Sequence, residues 1–135
     1  MDPAARSTPV AIAGRVLFTL IFFLSGITHF TQMADYVALM PAFMPWKPFW
    51  VVSSAIVELV GAVMIVSNRG ARWGGWLLAA FLVPVTALVH GVALATTTDP
   101  KMQAIQASFF LKGLAMLGCA LLITQLGVAP SRQGS

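Results

Sequence analysis

Residues 49–66 read FWVVSSAIVELVGAVMIV, an apolar run interrupted near its middle by a single acid, Glu58. A helix needs about 20 apolar residues to cross ~30 Å of hydrocarbon, so this run has the length of a membrane span. An ionised carboxylate at that depth costs a few kcal/mol or more, and it is kept only where it is paired, protonated or turned toward a polar cavity. Glu58 therefore asks for partners. Three further apolar runs each carry one ionisable residue: His29, His90 and Lys112.

Composition agrees with four spans. Of 135 residues, 59% are hydrophobic and 9% are charged, with a mean hydropathy of +0.87. A soluble domain of this length needs more charge to cover its surface, so the chain reads as one membrane domain, an all-α bundle of four transmembrane helices. The expected division is a flexible tail over 1–12, the helical domain over 13–127 and a second flexible tail over 128–135. The net charge of +4 is spread singly between spans and forms no stripe for nucleic acid. A single cysteine, Cys119, leaves no intrachain disulfide and no paired-thiol chemistry.

The first span is expected from about Gly14 to Thr31. It follows Arg6 like a secretory signal but is too long for one and ends without a small-residue cleavage site, so it is read as a retained helix. Arg15, Thr19, Phe22, Gly26 and His29 recur at spacings of four and three and share a face. Residues 32–49 mix Tyr36, Phe43, Trp46 and Phe49 with methionine and proline. This composition suits a segment lying in the headgroup interface and roofing the bundle, with Trp46 as an anchor.

The second span places Ser54, Glu58 and Gly61 on one face. The third, about Trp73 to Ala95, places Gly75, Ala79, Thr86 and His90 near one face, and Pro84 should kink it. Thr86 is positioned to help satisfy the carbonyl that Pro84 frees. The fourth, about Gln103 to Leu126, aligns Ser108, Lys112, Ala115 and Cys119. The short turn containing Arg69 and Arg72 reads as cytoplasmic, which puts both termini inside with Arg6, Arg15 and Arg132, against Lys47 and Lys101 outside. Arg15 then serves as an interface anchor, its head snorkelling to phosphates.

With that topology and ~1.5 Å of rise per residue, His29, Glu58, His90 and Lys112 fall in the outer half of the bilayer beneath the aromatic segment. Several chemistries suit such a constellation. It can be a structural polar knot, with Glu58 paired to Lys112 and the histidines bonded to hydroxyls or carbonyls. It can hold the head of a lipid-soluble quinone, whose oxygens need groups that donate and release protons, with Lys112 balancing charge. Two imidazoles can ligate a haem, although no metal site is assigned. Proton or cation transport along Glu58 lacks the inverted repeat of a carrier.

The quoted features also form a recognisable set. An arginine opening the first helix, its close in SGITHF, the MPAFMP segment, the acid in IVELVGAVMIV followed by an arginine-bearing turn, and FFLKGLAMLGCALLI in the last helix together resemble the DoxX family of small four-helix membrane proteins. The resemblance covers Arg15 to Ile123. It implies a bundle in a bacterial cytoplasmic membrane, and some members are subunits of thiosulfate:quinone oxidoreductase or membrane partners of redox complexes. By position, Arg15, Glu58 and Lys112 match recurrent charged positions of the family, whereas His29 and His90 match more variable ones.

The expected function is thus a redox-associated membrane subunit that binds quinone. Glu58 and His90 handle protons, Lys112 balances charge and His29 lines the pocket. Any catalysis would be that of a quinone-linked oxidoreductase, and the partner a redox subunit or a second copy of the chain. The alternative is a non-catalytic membrane anchor or assembly protein whose buried charges are structural.

Overall fold

Three of the four long helices carry a proline in their first turn. In a computed structural model, which describes residues 8–125, α1 spans Pro9–Thr31, α3 spans Lys47–Val66 and α6 spans Pro100–Thr124. Proline in the first turn removes an N–H that would have no partner anyway, and its φ is already helical. The Thr8 hydroxyl accepts from the Ala11 N–H at 3.2 Å, and the Asp99 carboxylate accepts from the Met102 N–H at 3.0 Å, each capping its helix. These caps correct two expectations. Residues 9–12, assigned above to a flexible tail, form the first turn of α1, and the fourth span starts at Pro100. The expected tail over 128–135 lies outside the described residues.

Between α1 and α3 lies a short helix, α2, Met33–Leu39. Trp46 then turns the chain into α3 from a left-handed conformation with φ of 52°. The third span is composite. α4, Ala71–Pro84, runs into a π-helical segment, Val85–Gly91, and closes as α5, Val92–Thr96. The π segment stands where a kink was expected. Pro84 has no N–H to donate, and in the widened turns that follow donors reach five residues back, as the Val92 N–H does to the Ala87 carbonyl. Thr86 does not supply the expected repair, because its hydroxyl is buried without a hydrogen-bond partner in the protein.

Four helices, counting the composite as one, are long and apolar enough to cross a membrane. They pack in the order α1, α3, α4, α6, while α1 and α6 make at most marginal backbone contact. Consecutive glycines bring the middle of the row together. A Cβ at Gly74 would lie 2.7 Å from the Gly61 carbonyl oxygen on α3, and one at Gly75 would lie 2.9 Å from the Ala120 carbonyl oxygen on α6. Phe22, Ile65, Leu78, Leu82, Ala120 and Ile123 fill the core. Because Ile65, Ala120 and Ile123 belong to the last turns of α3 and α6, this dense packing reaches the end of the bundle away from α2. The opposite half is hollow.

The faces of α1, α3 and α4 are those the spacing predicts: Thr19, Phe22, Gly26 and His29 are buried, as are Glu58 and Gly61, and Gly75, Ala79 and Thr86. The fourth span differs. Gly113, Ala120, Ile123 and Thr124 are its buried residues, whereas Ser108, Lys112 and Ala115 are exposed. The close contacts at Gly75 and at Gly113, where Thr86 is packed, turn this face inward. Lys112 is left at the edge of the face rather than at its centre.

Candidate functional site

The hollow half contains a cavity of about 690 Å³, within the range of pockets that hold small organic ligands. His29, Glu58, His90 and Lys112 all line it, together with Ser25, Tyr36, Thr86 and Gln106. Its remaining wall is largely apolar. Trp46 is not part of the lining; it is 79% exposed, and Trp50 one turn later lines the cavity instead. Arg15, on α1 well before His29, does not reach it either.

The depths of the four groups are staggered. His29 lies in the last turn of α1, while Glu58 and Lys112 sit near the midpoints of α3 and α6. The expected outer-half placement thus becomes a descent from the α2 end of the bundle to its middle. The start of α6 at Pro100 brings its midpoint onto Lys112, while Glu58 is already central in the apolar run 49–66.

His29 is held from two sides. Its Nδ1 lies 2.7 Å from the Ser25 carbonyl oxygen one turn back, and a carbonyl only accepts, so Nδ1 carries a proton and donates. Nε2 is then the acceptor of the neutral ring. The Tyr36 ring stacks on the imidazole with centroids 3.8 Å apart, and the Tyr36 hydroxyl is bonded to Thr28 Oγ1 at 2.7 Å. One tyrosine therefore fixes α2 against α1 and covers the histidine.

Glu58 is 1% exposed. Its Oε1 lies 3.5 Å from His29 Nδ1, yet that oxygen makes no hydrogen bond. The two observations are compatible, because the Nδ1 proton points at Ser25 and only proximity remains for the carboxyl. Among the described residues this is the one acid–base pair within ion-pair range. The expected Glu58–Lys112 pair does not form.

On the facing wall, His90 Nδ1 lies 3.2 Å from Gln106 Oε1. The His90 ring stacks on Phe109 at 5.3 Å, and Lys112 Nζ lies 5.5 Å from the same Phe109 ring. Phe109 thereby links the imidazole of the π segment to the ammonium of α6. The described residues contain no group of three or more metal-ligating side chains.

Ser25, Tyr36, Thr86 and Gln106 were not singled out by sequence as site residues. Ser25 and Gln106 had a signal: each is a polar residue within a helical turn or so of the cavity side of a span, Ser25 one turn before His29. The α6 register used above masked Gln106. Chemically, the cavity offers two imidazoles, one ammonium, a buried carboxyl with an unbonded oxygen at Glu58 and a second, exposed carboxylate at Asp35 near its α2 end. It suits a molecule with a polar head that exchanges protons.

Among known families, the sequence model for DoxX matches residues 10–91. That stretch runs from the first turn of α1 to the end of the π segment and carries Arg15, His29, Trp46, Glu58 and His90, while Lys112 lies beyond it. No curated protein and no solved structure gives a significant match. The family match spans more than half of the sequence and covers the first three of its long apolar helices: the chain belongs to the DoxX family.

Proposed function

We propose that the protein is a redox-associated membrane subunit that binds a quinone in the cavity between α1, α3, the π segment and α6. The observation that carries this reading is the unpartnered Glu58 Oε1, almost fully buried beside His29 on the wall of an apolar cavity. A buried polar atom without a partner costs about 1–3 kcal/mol. A bound hydroxyl or a proton shared with the ligand offsets that cost.

The residues present fit a quinone head. A quinone exchanges two electrons together with two protons through its two oxygens. Lys112 donates to a carbonyl oxygen and balances negative charge there. Glu58 and His29 Nε2 accept protons on the α1–α3 wall, with the Ser25 carbonyl fixing the imidazole in the tautomer that leaves Nε2 basic. His90, oriented by Gln106, does the same on the opposite wall. The electrons pass to or from a partner redox subunit, and the bundle contributes binding, orientation and proton exchange. Its membrane is the bacterial cytoplasmic membrane, with the Arg69–Arg72 turn on the cytoplasmic side.

Mass spectrometry of the organic extract from protein purified in mild detergent tests the reading. Stoichiometric quinone is the expected result, with loss of that quinone in the Glu58→Gln, Lys112→Met double variant. A stoichiometric haem would replace quinone with the bis-histidine reading, and bulk phospholipid alone would leave the buried charges as structural locks of an anchor protein.

A further inference from the structure

We infer that the ligand of this cavity is a long-chain amphiphile that enters sideways from the bilayer through a slit between α1 and α6, leaving its hydrocarbon chain between Ile21 and Phe109. The inference rests on the quinone reading for the head and adds the access route and the need for a chain.

The packing order leaves this seam open. α1 contacts α3, α3 contacts α4 and α4 contacts α6, but α1 and α6 at the two ends of the row make at most marginal backbone contact. Residues of both helices nevertheless line the same cavity. Ile21 and Phe109 are lining residues that are also 48% and 45% exposed on the outside of the bundle. A side chain that faces both the cavity and the exterior marks an opening. Ile21 is near the midpoint of α1, so the opening lies at hydrocarbon depth, where only an apolar chain is at home.

Lys112 supports the same assignment. It is an exposed residue of α6 that also lines the cavity, and it sits one turn from Phe109 near the middle of the helix. An ammonium at that depth is costly in lipid. At the slit it can turn inward, and it meets the head of an amphiphile entering between the helices. The other conceivable route, over the α2 end, is lined by the polar Gln32, Asp35 and Tyr36 along with Leu39 and Met44, where a hydrocarbon chain is not at home, and it carries the Tyr36–Thr28 bond that closes α2 onto α1.

Photolabelling separates these routes. The probe is a decyl benzoquinone with a diazirine at the far end of its chain, bound to the full-length protein in phosphatidylethanolamine–phosphatidylglycerol vesicles. Labelling is counted only where excess unlabelled decyl benzoquinone competes it away. The expected result is competed label on the α1 peptide containing Ile21 and the α6 peptide containing Phe109, reduced at least tenfold in an Ile21→Trp variant. In that variant the tail-less parent benzoquinone should still raise the thermal unfolding midpoint as it does in the unsubstituted protein, which shows that the cavity remains formed. Competed label on residues 36–50 instead would overturn the slit while leaving quinone binding intact. No competed label anywhere would sink both the slit and the quinone reading.

Discussion

Glu58 is the residue at which stability and function make opposite demands. Its side chain is almost fully buried, bonded to the Ser25 side chain but with one oxygen, Oε1, that has no hydrogen bond. Glu58→Gln keeps the shape and removes the acid. The midpoint of thermal unfolding in mild detergent is expected to stay the same or rise, as it does when a strained functional group is relieved, while retained quinone falls at least tenfold. A fall in midpoint equivalent to more than about 1 kcal/mol would instead mark Glu58 as a lock. Thr86→Val makes a parallel case, replacing a buried hydroxyl that has no protein partner with a methyl of similar volume. Its expected effect is a gain of up to about 1 kcal/mol in unfolding free energy. At this scale the sequence was informative about which residues line the cavity, since one titratable group stood out in each apolar run. It was silent on their pairing. Nothing in the spacing shows that the His29 Nδ1 proton goes to Ser25 and leaves Glu58 Oε1 without a hydrogen bond, or that Lys112 meets an aromatic ring rather than the acid.

Helices of this protein touch through glycine, and the cost of enlarging one depends on its neighbours. Gly75→Val places side-chain atoms against the Ala120 carbonyl oxygen and against Thr124 and Ile123 on α6. Overpacking of this kind is expected to cost about 1–3 kcal/mol, read as a lowered unfolding midpoint. Gly118→Ala on α6 serves as the contrast, because a Cβ there meets nothing within 4 Å. It should be neutral or stabilising by up to about 1 kcal/mol. Four apolar spans and the buried faces of three helices were legible from apolar length and from spacings of three and four. The helix starts were not, because hydropathy alone does not show that Thr8 and Asp99 cap the turns opened by Pro9 and Pro100. The α6 face was missed for a related reason: Ser108, Lys112 and Ala115 share a helical face, but contact with Gly75 and Thr86 outweighs that pattern. The π segment has no periodic signature at all. It follows from Pro84 together with the packing of Thr86 onto Gly113, which sequence spacing does not reveal.

For the molecule as a whole, the orientation in the membrane decides which aqueous side the cavity serves. The α2 end, where His29 lies, is opposite the turn that carries Arg69 and Arg72, and positively charged short loops favour the cytoplasm. On the proposed quinone reading, oxidation of a quinol in that orientation would release protons on the outer face. Single cysteines in a Cys119→Ala background test this, with Ser67→Cys in the arginine turn and Thr98→Cys in the turn before α6. Both positions are exposed and lie in connections outside the long helices. A membrane-impermeant maleimide added to intact spheroplasts is expected to label Thr98→Cys, and to label Ser67→Cys only after permeabilisation. The reverse pattern would turn the cavity toward the cytoplasm and reverse the side on which protons are released. The slit between α1 and α6 would be unaffected, since it lies at hydrocarbon depth and opens to lipid in either orientation. Orientation therefore sets the direction of proton exchange independently of how the ligand gains access, and the two can be tested in the same vesicles.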